Sequence, residues 1–118
     1  MLYMTSQSSE SVEGSGREKN GFNRFNPDTI DGNPKDMSFD QITAHTTYKK
    51  TKEVLNQFQN IDYPASISEN LDLDEATVRY HIEKLQYLGL VKLYWRRSDR
   101  TLYKITKDGE NVLENLNI

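Results

Sequence analysis

Residues 67–91 read ISENLDLDEATVRYHIEKLQYLGLV and carry the clearest structural signals in the chain. Asp74 can cap a helix, because its carboxylate can accept a hydrogen bond from the amide of Thr77. Behind this cap, apolar residues recur at steps of four, three and three, as one face of a helix requires: Val78, Ile82, Leu85 and Leu88. Gly89 can adopt the left-handed conformation that ends many helices. The stretch therefore predicts a capped amphipathic helix over residues 75–88.

Shorter helices are predicted upstream of this segment. Pro64 suits the first turn of a helix, where its missing N–H is not needed, and residues 64–70 form a helix that Asp72 ends. Residues 48–60 carry apolar side chains at helical spacing, namely Val54, Leu55 and Phe58, and Ile61 continues the same face. Ser38 can cap one more short helix before them.

Downstream of the glycine the apolar period changes to two, which indicates a β-strand. Over residues 90–97 an apolar set alternates with polar residues: Val91, Leu93 and Trp95. Residues 97–100 are polar and predict a turn, residues 101–106 predict a second strand, and Thr106 can cap a final helix. We expect Trp95 to pack in the core with Val91 and Leu93. The alternative is a stacking platform for single-stranded nucleic acid.

The N-terminal third has a different composition. Residues 1–37 are dominated by Ser, Gly, Asn, Asp and Pro, and their few apolar residues show no helical or strand period. Such a segment cannot bury enough apolar surface to offset its ordering entropy. We therefore expect a disordered tail over residues 1–37 and one folded domain over residues 38–118. The alternative interpretation is that Phe22 and Phe25 form a short motif in this tail that binds a partner.

Composition argues against several functions. The 118 residues include no cysteine, which excludes disulfides, thiolate nucleophiles and cysteine metal sites. No signal peptide or membrane span is evident, so a soluble cytoplasmic protein is expected. No Gly-rich phosphate loop or nucleophile–base arrangement appears, so we expect no enzyme and no cofactor. His45 and His81 are the only histidines; we expect a structural role for His81 and no metal site.

The charges are unevenly distributed along the chain. The net charge is −3, with four basic and seven acidic residues in 1–47 and eleven of each in 48–118. A neutral domain can still bind a polyanion if its basic residues lie on one face. The arrangement of the charges, not their sum, therefore decides which partners the domain can bind.

The order of elements, helix–helix–turn–helix–hairpin–helix, and two motifs resemble the winged helix-turn-helix superfamily. The first motif is residues 67–91, with Thr-Val, His-hydrophobic and Leu-x-x-Leu-Gly-Leu-Val in order, and the second is YKITKDGENVL at 103–113. The similarity points in particular to prokaryotic regulators related to the ArsR and MarR families. It implies a mainly α fold with a small β-hairpin, the wing. Asp72 departs from the glycine usual in the turn, and aspartate tolerates turn conformations.

Within such a fold, the face of helix 75–88 opposite its core stripe would enter the major groove of DNA. A rotation of about 100° per residue from Val78 places on or beside that face Ala76, Thr77, Arg79, Tyr80 and Lys84. Glu83 also lies there, and phosphate would repel it unless it reads a cytosine or pairs with Arg79 or Lys84. An ordinary solvated helix face is the alternative interpretation.

The wing tip, residues 96–100, carries three arginines: Arg96, Arg97 and Arg100. The resemblance implies that this tip contacts the DNA backbone or the minor groove. A charged hairpin that protects an exposed strand edge is the alternative.

The predicted function is a sequence-specific regulator of transcription that binds double-stranded DNA. It would act as a homodimer through its final helix, residues 108–117, or through the helix at residues 48–60. A winged-helix module for protein–protein interaction is the second hypothesis, which the neutral charge and Glu83 favour.

Overall fold

The computed structural model describes residues 24–116. Within this range two short 3-10 helices precede five α-helices and one hairpin. The 3-10 helices are Pro27–Thr29 and Pro34–Asp36, and the other elements are α1 Phe39–Ala44, α2 Lys49–Gln57, α3 Pro64–Leu71, α4 Glu75–Tyr87, β1 Val91–Arg96, β2 Thr101–Ile105 and α5 Lys107–Leu116. None of these helices is both long and apolar enough to span a membrane.

The predicted helix ends are confirmed by their local hydrogen bonds. Asp74 accepts from the amide of Thr77 at 3.0 Å, and Ser38 forms a reciprocal capping box at the start of α1. Asp72 adopts the left-handed conformation with φ of 55°, and Gly89 does so with φ of 79°. The short side chain of aspartate therefore serves in the turn where the related pattern has glycine.

The core lies between α4 and the helices packed around it. The apolar stripe of α4 is buried, as predicted, and α2, α3 and α5 add their own apolar faces: Val54, Leu55, Ile67, Val112 and Leu113. The hairpin follows α4 directly, and β1 pairs with β2 in antiparallel register. The fold is mainly α with a two-stranded hairpin, a winged helix-turn-helix, as the sequence predicts.

The prediction that Trp95 packs in the core is wrong. Leu93 is 44% exposed and Trp95 is 50% exposed, whereas Val91 is buried. A β-bulge between Leu93 and Trp95 breaks the alternation of faces along β1. In addition, Lys92, Leu93, Tyr94, Trp95 and Arg96 of β1 are all exposed. The outer part of β1 therefore projects into solvent.

A third chain segment holds the wing in place from the other edge. Asp62 forms an antiparallel bridge with Tyr103 of β2, with backbone N–O distances of 3.1 and 2.9 Å. The Tyr103 ring also meets Phe58 of α2 edge-on, at 6.1 Å between ring centroids. These contacts tie the wing to α2 and to the loop before α3.

Residues 24–37, which we call the N-terminal strap, differ from the predicted disorder. Asn26 and Asn33 each cap one 3-10 helix through a side-chain oxygen that accepts from the backbone two residues later. Ile30 is only 6% exposed and belongs to the core, and Phe25 and Met37 pack against that core. Isolated apolar contacts of this kind leave no periodic signal in a sequence. Phe22 lies outside the described residues.

Candidate nucleic-acid interface

The exposed side of α4 carries the residues predicted for groove contact. Ala76 and Arg79 are exposed, and Thr77, Tyr80 and Lys84 are partly exposed. They lie away from the buried stripe of the same helix, because successive residues rotate by about 100°. The structure therefore leaves all five side chains accessible to solvent to some degree.

Thr77 is held at the start of the helix by the capping residue. The hydroxyl of Thr77 donates to Asp74 at 3.0 Å, and its backbone amide donates to the same carboxylate at 3.0 Å. These two hydrogen bonds lower the pKa of the Asp74 carboxyl below its usual value. Because the Thr77 hydroxyl proton is donated to Asp74, the methyl group and the oxygen lone pairs of Thr77 remain available to a binding partner.

Arg79 forms an ion pair one helical turn back, with Glu75. The distance from Nε of Arg79 to Oε2 of Glu75 is 3.1 Å, and the side chains are 57% and 43% exposed, respectively. An exposed pair of this kind contributes little to stability, on the order of 0.5 kcal/mol. A phosphate group can therefore compete with Glu75 for the guanidinium.

The helix and the wing meet at a cleft of about 390 Å³ between the wing tip and the starts of α3 and α4. We call it the arginine cleft, because four arginines line it: Arg79, Arg96, Arg97 and Arg100. Two acids, Glu75 and Asp99, also line it, so its charged side chains sum to a positive value. Arginines that are separate in the sequence thus face one site.

Aromatic rings position two of these arginines. The guanidinium carbon of Arg97 lies 4.4 Å from the ring centroid of Trp95, and that of Arg100 lies 4.3 Å from the ring centroid of Tyr63. A stacked guanidinium keeps its N–H groups free to donate in its own plane. Tyr63, on the loop before α3, was missed from the sequence, because no local pattern links it to the wing tip.

A second cleft, of about 520 Å³, lies on the opposite flank of α4. Lys84 lines it together with Lys50 from the first turn of α2, and Tyr48 and Tyr80 add aromatic surface. Burial lowers the pKa of Lys84 below its usual value. Lys50 was missed from the sequence as well. The sequence shows a run of lysines at positions 49, 50 and 52, but this run does not indicate which of their side chains faces α4.

His81 lies beneath this second cleft and is 6% exposed. Its Nδ1 lies 3.1 Å from the hydroxyl oxygen of buried Thr51. Burial, with Lys84 and Lys50 nearby, lowers the pKa of His81 to about 4. The imidazole is therefore neutral at pH 7 and serves the packing. His45 lines the cleft, but among residues 24–116 no three His, Asp or Glu side chains converge as a metal site requires.

We expect the stability of the fold to fall between pH 7 and pH 5 because of His81. Its pKa is about 4 in the folded chain and about 6.5 when unfolded, so the unfolded chain binds more protons in this window. The free energy of unfolding should drop by about 2 kcal/mol from this group alone. Urea denaturation at both pH values measures it. His81→Gln should flatten the dependence, whereas the matched His45→Gln should not. An equal slope in His81→Gln would contradict the assignment.

Glu83 was expected either to read a cytosine or to pair with Arg79 or Lys84, and in the structure it binds the strap instead. Its Oε1 accepts from the backbone amide of Phe25 at 2.9 Å, and its Oε2 lies 3.0 Å from Nε of Arg24. The strap thus supplies the partners, and Arg79 is engaged with Glu75 instead. The sequence offered no signal for this contact, because the two segments are 58 residues apart.

The fold and these clefts define a winged helix-turn-helix domain whose exposed α4 face adjoins a basic wing. No protein-family model and no curated protein matches the chain. The chain is similar to the solved structure of an apo double-mutant form of Lactococcus lactis ZitR. That match has 24% identity and a TM-score of 0.51, over 61% of this chain and 57% of ZitR. This likeness supports the fold.

A second solved structure, of Lactococcus lactis ZitR as a zinc-responsive MarR family member, matches with 25% identity and a TM-score of 0.48. That match covers 54% of this chain and 47% of ZitR. The chain therefore spans about half the length of the solved structures that it matches.

Proposed function

We propose that this chain binds double-stranded DNA and regulates transcription, with α4 in the major groove and the wing tip on the backbone or in the minor groove. The observation that carries the proposal is the arginine cleft, where Arg79 of α4 and the three wing arginines face one site. A duplex laid along α4 would bring phosphates to that site. Arginine is well suited to it, because its planar fork matches the oxygens of phosphate.

Base contacts would come from the middle of the α4 face. Ala76 lets the helix approach closely, and the methyl group of Thr77 or Ala76 suits a thymine methyl. Tyr80 offers a hydroxyl to a base edge or to the backbone. Arg79, once released from Glu75, can fork onto guanine or phosphate. Lys84 and Lys50, on the second cleft, would contact phosphates on the other side of the groove.

A homodimer is part of the proposal, since one module reads too few base pairs for specific binding. Within one chain, α2 and α5 pack against each other, and their apolar residues Val54, Leu55, Val112 and Leu113 are buried. A dimer would therefore use the outer, polar surface of α5 or α2. Light scattering with and without duplex DNA measures the stoichiometry.

A protein-interaction role is the second candidate, and one observation favours it. Leu93, Tyr94 and Trp95 are each about half exposed on neighbouring positions of the wing, which is unusual for a surface that contacts only DNA. A partner that recognises these apolar side chains would still bind after the wing arginines are replaced.

A titration of random-sequence duplex DNA with the full chain at 50 and 200 mM salt tests the proposal. We expect binding that weakens by roughly ten- to a thousandfold between the two conditions, because released counterions drive the association. Absence of binding at the lower salt concentration would contradict the proposal and favour the protein-interaction candidate.

A further inference from the structure

The strap crosses the same face of α4 that the proposed function places in the major groove. The ring of Phe25 lies 5.9 Å from the ring of Tyr80 and 5.6 Å from the ring of Tyr87, measured between centroids. Tyr80 and Tyr87 are seven residues apart, which is two helical turns, so they lie on one side of α4. A base edge cannot approach this part of the helix while the Phe25 ring covers it.

Glu83 anchors the strap between these two tyrosines. Its carboxylate accepts the Phe25 amide at 2.9 Å and pairs with Arg24 at 3.0 Å. Hydrogen bonds to a charged group are stronger than those between neutral groups. On a helix face that contacts DNA, an unpaired carboxylate would repel phosphate. In this structure the carboxylate of Glu83 instead binds residues 24 and 25 of the same chain. The contact thus accounts for an acid on a face that is otherwise neutral or basic.

The two ends of the strap are held very differently. Ile30 is buried in the core, and Met37 packs against it. At the other end Arg24 is 82% exposed and Asn26 is exposed; within residues 24–116, the contacts that hold residues 24–26 on α4 are those of Phe25 and Glu83. Segments with few buried contacts open locally at low cost. This end can therefore lift from α4 while Ile30 stays in the core.

We propose that residues 24–26 are an autoinhibitory segment that Glu83 anchors, that covers the C-terminal half of α4 and that competes with duplex DNA for the surface around Tyr80 and Tyr87. The inference rests on the proposed function, whose regulation it describes. Because only the open form admits a duplex, the apparent dissociation constant is raised by the inverse of the open fraction. A segment closed nine-tenths of the time weakens binding by about tenfold.

Phe25→Ala in the full chain tests the competition through two measurements. Amide hydrogen exchange by NMR reports whether the Phe25 amide is protected by Glu83. A duplex titration at fixed salt reports the affinity. In Phe25→Ala we expect faster exchange at position 25 and roughly tenfold tighter duplex binding. Partial unfolding would weaken binding, so a gain in affinity cannot arise from damage to the fold.

Phe39→Ala is the matched control. Phe39 is 44% exposed on α1 and lies beside Asn111 and Glu114 of α5, away from α4. This substitution removes a ring of the same size and leaves the net charge unchanged. We expect Phe39→Ala to leave the hydrogen exchange of the Phe25 amide unchanged. We also expect it not to tighten duplex binding.

Three results would overturn the inference, and they separate it from the proposed function. An unprotected Phe25 amide in the original chain would show that the strap is open. Faster exchange in Phe25→Ala with unchanged or weaker affinity would show that the strap does not compete, while duplex binding by the original chain would leave the proposed function intact. Absence of duplex binding by either chain at low salt would remove the proposed function, and the inference with it.

Discussion

Arg97→Glu is expected to weaken duplex binding by roughly a hundredfold at low salt, the largest effect on binding that we predict. Arg97 lies at the exposed wing tip, stacks on Trp95 and lines the arginine cleft. Its replacement would remove one proposed phosphate contact and place a negative charge at the same position, next to Asp99. The slope of affinity against salt should fall by about 1. Fluorescence anisotropy with a labelled duplex at several salt concentrations measures both quantities.

Lys107→Glu is the matched control for this change. Lys107 is exposed at the start of α5 and lines a different cleft with Gln59 and Glu110. The substitution changes the net charge of the chain by the same amount as Arg97→Glu. Equal losses in the two variants would show that overall charge, and not the wing, governs binding. Both sites are exposed, so thermal stability should change by no more than about 0.5 kcal/mol.

Gly109→Ala is expected to destabilise the fold by about 3 kcal/mol, which is the largest effect on stability among the single substitutions considered. A Cβ atom at position 109 would lie 2.2 Å from the carbonyl oxygen of Leu90 and 2.6 Å from Cγ1 of Ile105. One of these neighbours is backbone at the base of the wing, so no side-chain rotation relieves the overlap. In an unobstructed helix the same substitution stabilises by about 0.5–1 kcal/mol. A decrease in stability would therefore indicate the overlap with Leu90 and Ile105, and an increase would indicate that position 109 has room for a methyl group.

Thermal denaturation of the full chain measures this prediction. The midpoint for Gly109→Ala should fall by on the order of 15 °C for a domain of this size. Asn111→Ala, at an exposed position of the same helix, is the control and should be neutral or slightly stabilising. An unchanged midpoint for Gly109→Ala would mean that α5 can move away from the wing base without cost.

The close approach at Gly109 also positions the wing. Thr106 donates its hydroxyl to the carbonyl of Gly89 at 2.7 Å, and its amide donates to the carbonyl of Leu90 at 3.0 Å. The start of α5 thus locks the segment between α4 and β1. This contact, together with the Asp62–Tyr103 bridge, fixes the position of the wing relative to the helices.

Local interactions made much of the fold predictable from the sequence. The caps at Asp74 and Ser38, the stripe of α4 and the stop at Gly89 depend on residues within four or five positions of each other. The same reasoning placed the exposed face of α4 and the arginines of the wing tip. It failed at Trp95, because a β-bulge shifts the alternation by one residue and leaves no mark in the apolar pattern.

By itself, the sequence determined the order of helices and hairpin, the helix ends and the side of α4 that faces solvent, since each is set by neighbours along the chain. Tertiary structure alone decided that Arg100 stacks on Tyr63, that Gly109 meets Leu90 and that Phe25 covers Tyr80 above Glu83. These contacts join segments distant in sequence, and they form only where the packed core brings their surfaces together. The arginine cleft and the strap over α4 are therefore properties of the packing, built from residues that carry no common signal in the sequence.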